Sequence, residues 1–90
     1  MKTPTLHLNG TSGQELREQL ALAVEAIVRA QEKLMQAMPH GRDYYPQGND
    51  AIFQAQSEMR ARDTKLEQVK QELVLMHQAV ADQEREQRRR

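Results

Sequence analysis

Between Leu16 and Ala37 apolar residues recur at alternating steps of four and three: Leu16, Leu20, Ala23, Ile27, Ala30, Leu34 and Ala37. That spacing aligns them along one side of an α-helix. Ser12 followed three residues later by Glu15 reads as a capping box, and Pro39 ends the pattern, so a helix is expected over residues 12–38. A second pattern, Ile52, Ala55, Met59, Arg62, Leu66, Val69, Leu73, Met76, Val80 and Gln83, keeps a heptad without any interrupting proline or glycine. With Asn49 as its cap it predicts a helix over residues 49–87. Residues 39–48, Pro39 to Gly48, contain Gly41 and Pro46 as well and continue neither helix.

Residues 1–11 read differently. Pro4, the alternating Leu6 and Leu8 and the turn pair Asn9-Gly10 predict a short extended N-terminal arm, whose leucines are expected to cover the end of the helical core. The expected fold class is therefore all-α: an antiparallel, coiled-coil-like helical hairpin over residues 12–87, with that arm before it and a basic tail at residues 88–90. At 1.5 Å per residue the helices should span about 40 Å and about 55 Å, so the second overhangs the first along Asp82 to Arg90.

One hairpin leaves apolar positions uncovered. The first helix carries a second stripe, Val24, Val28, Met35 and Met38, and the second adds Phe53 and Val74 outside its main seam. A chain of 90 residues buries too little apolar surface to be comfortably stable alone, and zero cysteines remove disulfides and thiolate metal sites as reinforcement. A homodimer, two hairpins packed as a four-helix bundle across those six residues, is the expected remedy. The competing reading makes the same stripe a docking face for a different protein.

Composition narrows the chemistry. Charged residues make up 29% and aromatics 3%, the balance of long helices, so a sheet is not expected. Net charge is zero, which gives no general attraction to nucleic acid. His7, His40 and His77 lie too far apart in sequence to form a local ligand set, and no metal or cofactor is expected. Glu58, Asp63, Glu67 and Glu72 interleave with Arg60, Lys65 and Lys70 as on a solvated helix face. No enzymatic activity is expected. The N-terminus lacks the apolar stretch of a signal peptide, and the longest apolar run, Leu20 to Val24, is far short of a membrane span. The expected location is the cytoplasm.

The loop is the most distinctive segment. Tyr44 and Tyr45 sit beside His40, Arg42 and Asp43, and tyrosine with arginine is the composition of protein-binding hot spots. The plainer alternative folds the rings over the hairpin's end and pairs Arg42 with Asp43. Arg88, Arg89 and Arg90 raise nucleic-acid binding as an alternative function, diluted by Asp82, Glu84 and Glu86.

The arm Thr3-Pro4-Thr5-Leu6-His7-Leu8-Asn9-Gly10-Thr11-Ser12 and the loop Pro39-His40-Gly41-Arg42-Asp43-Tyr44-Tyr45-Pro46-Gln47-Gly48 together resemble a family of small uncharacterised proteins encoded by tailed phages and prophages of proteobacteria. The resemblance covers nearly the whole chain and implies a bacterial host cytoplasm, with no activity attached and no functional residue to carry over. The expected function is a non-enzymatic interaction module, homodimeric, that binds a host or phage protein. A structural or assembly part is a further alternative.

Overall fold

The computed structural model describes residues 1–89; Arg90, the last of the three terminal arginines, lies outside the described residues. Two long helices, α1 (Gly13–Gln36) and α2 (Ala51–Arg88), pack against each other, joined by a loop with single 3₁₀ turns at Gly41–Asp43 and Tyr45–Gln47. There is no strand among the described residues. The molecule is a rod of 66 × 19 × 19 Å.

Local chemistry explains the helix ends. The Ser12 hydroxyl accepts the Glu15 N–H at 3.1 Å, satisfying one of the free donors of the first turn. Glu15 in that turn and Lys33 in the last one complement the helix dipole. At the other end the Ala37 N–H bonds back to the Leu34 carbonyl at 3.0 Å, and Pro39, which has no N–H, follows. The second helix starts later than its sequence pattern indicates. Asn49 is not its cap: Asn49 and Asp50 form a turn after Gly48, and Asp50, whose side chain makes no capping bond, precedes the first helical residue Ala51. Gly48 sits at φ 111°, a backbone conformation that side chains penalise, and this bend sets where α2 can begin.

Across the hairpin, Leu16, Leu20, Ile27 and Leu34 of α1 and a column of α2 at seven-residue steps, Ile52, Met59, Leu66, Leu73 and Val80, are at least partly buried. Of the other expected seam positions, Ala23 of α1 and Ala55, Met76 and Gln83 of α2 are also partly buried, so the seam fails only in places. To one side of the column Arg62 and Val69 are exposed, and Arg62 reaches Glu58 at 3.8 Å; to the other side Asp63, Glu67, Lys70 and His77 are partly buried. Ala30 and Ala37, also expected in the seam, are exposed. A straight helix drifts about 20° per heptad against a strict seven-residue repeat, so a seam read from the repeat alone rotates off the contact.

Val80 is the one fully buried hydrophobic among the described residues. It lies one turn before Gln83, the residue that fastens the N-terminal arm to α2.

Candidate interaction surfaces

Three surfaces stand out: the loop end, one flank of the hairpin, and the open end where the arm lies.

At the loop end, Tyr44 is partly buried and, with Pro39, Ala51, Ala55 and Met59, lines a recess of about 250 Å³. The Gln56 amide donates to the Pro39 carbonyl at 3.4 Å, tying the loop's first residue to α2. Tyr45 is 77% exposed, and His40, Arg42 and Asp43 are exposed with it. The loop backbone is closed by its own bonds, Asp43 N–H to His40 carbonyl and Tyr44 N–H to Gly41 carbonyl, both at 3.0 Å. Among the described residues Arg42 and Asp43 form no ion pair. One tyrosine therefore covers the hairpin's end while the other, with the charged residues, faces water.

The flank carries the α1 stripe. Val24 and Met38 are partly buried; Val28 and Met35 are exposed, Met35 at 58%. Val74 is exposed on α2 and shares with Val24, Ala21 and His77 a shallow recess of about 300 Å³, so both helices contribute to one face. Phe53, 67% exposed, belongs to the same seven-residue column as Glu67 and Val74. Gln31, within the stripe, donates to Glu67 at 3.3 Å. Glu67 also accepts from Gln71 at 2.9 Å and pairs with Lys70 at 3.0 Å. These donors, the Gln71 amide foremost, then Lys70 and Gln31, hold its carboxyl down at about 2. One turn before Glu67, a carboxylate oxygen of Asp63 is buried with no hydrogen-bond partner among the described residues.

At the open end the Gln83 carboxamide grips the arm twice. Its Nε2 donates to the Pro4 carbonyl at 2.6 Å, and its Oε1 accepts the Leu6 N–H at 2.9 Å. A side-chain amide here does for an irregular segment what a neighbouring strand would do. Leu6 is partly buried, whereas Leu8 at the turn is exposed. Glu84, the next residue, bonds Arg17 of α1 through Nε and, at 3.1 Å, through Nη2. That pairing pulls the Glu84 carboxyl below, and the Arg17 guanidinium above, its ordinary range. Gly13 admits the contact, because a Cβ there would stand 2.7 Å from Glu84 Cδ. Sequence reasoning read Gln83 as one more seam position. The available signal was a polar residue in an apolar column, at the end where a proline-containing arm must pass.

Arg85 pairs with Asp82, whose carboxyl is lowered by Gln78 and by that arginine, and Arg88 lies 4.0 Å from Glu84. Among the described residues no three His, Cys, Asp or Glu side chains gather as a metal set. Nor is any helix among them long and apolar enough to cross a membrane. The displaced carboxyls of Glu67, Asp82 and Glu84 belong to hydrogen bonds and ion pairs on helix faces. No protein-family model matches the chain, and neither the curated proteins nor the solved structures contain a match.

Proposed function

We propose that this protein is a non-enzymatic interaction module that works as a homodimer, two hairpins joined in a four-helix bundle with the N-terminal arms outside it. The observation that carries the reading is the imbalance between surface and interior. The chain exposes 7018 Å² with a single fully buried hydrophobic, where a compact folded chain of 10.4 kDa exposes about 5,400 Å². Val28, Met35 and Val74 leave apolar area open beside the seam, the kind of surface an interface covers, while Leu22 and Leu75 are open on other faces. Light scattering across a dilution series tests this: the expected mass is twice 10.4 kDa at micromolar concentration. A single-chain mass that unfolds cooperatively at high temperature would remove the reading.

Beyond the dimer, the loop supplies the contact to a second protein. Tyr45, Arg42, Asp43 and His40 are all exposed in this one loop, an aromatic among polar and charged residues. In the setting that the arm and loop resemblance implies, a phage or prophage gene product in a bacterial cytoplasm, that partner is a host or phage protein. Affinity capture with the wild type and with an Arg42→Ala, Tyr45→Ala double variant checks the assignment. A partner held equally by both would move the binding surface away from the loop.

A further inference from the structure

Building on the dimeric reading, we infer the arrangement of the two copies: they meet flank to flank about a two-fold axis perpendicular to the helices, α1 against α1 and α2 against α2, with the two loops at opposite ends. Three observations lead there.

The first concerns which face is free. The column of α2 that includes Val69 and Met76 ends at Gln83, which is occupied by the arm of its own chain through two hydrogen bonds. The column on the other side of Leu66, Leu73 and Val80 holds Glu67 and Val74, and it adjoins the α1 stripe through the Gln31 bond and the recess shared by Val24 and Val74. A second copy can lie along that side for the full length of α1 without displacing the arm.

The second is the order of sizes within the stripe. From the open end to the loop end it runs Ala21, Val24, Val28, Gln31, Met35, Met38. Small side chains occupy one half and long ones the other. Parallel copies with their first helices against each other would set methionine on methionine at one end and leave a gap between alanines at the other. Reversed copies set Met38 opposite Ala21, Met35 opposite Val24 and Gln31 opposite Val28, which keeps the helix separation even. All three pairs share one midpoint, between Arg29 and Ala30.

The third is charge, which is compatible with the same axis: Glu67 and Lys70, paired within each chain, can also bridge between the two copies. On α2, Glu67 of one copy faces Lys70 of the other if the midpoint lies between Gln68 and Val69. Gln31 stands one and a half residues past the α1 midpoint, and Glu67 stands one and a half residues before the α2 midpoint. The helices run in opposite directions, so the hydrogen bond joining Gln31 to Glu67 puts both midpoints at one height. One axis therefore accommodates the three α1 pairs and the Glu67–Lys70 pairs together. It also makes every adjacent pair of helices antiparallel, the favourable setting for their dipoles.

The area suffices. The chain exposes about 1,600 Å² more than a compact protein of its mass, and a standard interface takes about 800 Å² from each partner.

The absence of cysteine makes disulfide trapping clean. The full chain would be prepared as Val24→Cys, Met35→Cys and Val69→Cys, with light scattering on each under reducing conditions, then oxidised alone and in pairs. Mixing Val24→Cys with Met35→Cys should give a cross-linked dimer in high yield, at least tenfold above either variant alone, and Val69→Cys should stay uncross-linked. Self-linking of Val24→Cys in a dimeric protein would overturn the reversed arrangement and establish a parallel one. Efficient linking of Val69→Cys would overturn the choice of flank. If all three variants and the wild type are single chains by scattering, the dimeric reading fails first and this arrangement with it.

Discussion

The two ends of the hairpin differ in what lies over the helices: the N-terminal arm held by Gln83 at the open end, the connection with Tyr44 at the other. At the open end α1, α2 and the arm converge, and Val80 is fully buried. At the loop end only two helices and their connection meet, and Phe53 and Met35 remain largely in water. Two helices touch along a line, which leaves each core side chain open on one side. A third segment, even an irregular one fixed by a single glutamine, closes that side. The contrast also shows how little polar chemistry is needed: two hydrogen bonds position the arm, and the apolar contacts then follow.

The largest test of this contrast is Val80→Ala. Removing a fully buried side chain should cost about 2 kcal/mol in urea unfolding at fixed protein concentration, the transfer loss plus a residual cavity. Phe53→Ala, at the other end, removes more atoms from a 67% exposed site. A Phe53→Ala cost equal to or above that of Val80→Ala would abolish the distinction between a dry end and a wet one, or show that a second copy covers Phe53. Next in size is Gln83→Ala, expected to cost about 1 kcal/mol by leaving the Leu6 N–H and Pro4 carbonyl without their partner. Hydrogen exchange locates it: the Leu6 amide should lose protection while the amides of α1 keep theirs. Equal protection before and after would mean the arm is held by something other than this glutamine.

Acid should act on both the flank and the open end. Glu67, Asp82 and Glu84 all have carboxyls held below their ordinary range, so each stabilises the fold above that range and stops doing so as pH falls through its folded value. The midpoint of urea unfolding should decline mainly between pH 4.5 and about 2, the span for Glu67. Asp82 is exposed and Glu67 and Glu84 are only partly buried, so the decline should be smaller than the Val80→Ala effect and should shrink with added salt. The smallest effect on folding is Tyr45→Ala, within about 0.5 kcal/mol of the wild type because the ring is exposed. A larger loss would show that this ring is structural, as Tyr44 is, and would weaken the loop's role in binding.

Hydrophobic spacing announced two helices, their connection and the Ser12 cap, because these follow from short-range geometry that a sequence states directly. The column Ile52, Met59, Leu66, Leu73, Val80 was legible for the same reason. Which neighbours flank that column was not. Arg62 and Val69 at three residues, or Asp63 and Lys70 at four, are nearly equivalent choices on a helical wheel, and the drift between 3.5 and 3.6 residues per turn decides between them only over the whole length. The start of α2 depended on the bend at Gly48, which moved the boundary beyond Asn49. Arg42 and Asp43, adjacent in sequence, found no ion pair because neighbouring side chains in a tight turn point apart. Gln83 was legible as a polar residue in an apolar column, but not what it binds, because its partners, Pro4 and Leu6, lie at the opposite end of the chain.

The shape described above has a hydrodynamic consequence. A radius of gyration of 19.5 Å compares with about 12 Å for a spherical domain of this length. Such a slender particle tumbles slowly about its short axes and experiences excess friction. On a gel-filtration column calibrated with spherical standards even one chain would elute early, at an apparent mass well above its own. Sedimentation and diffusion coefficients, measured together, separate that elongation from true stoichiometry.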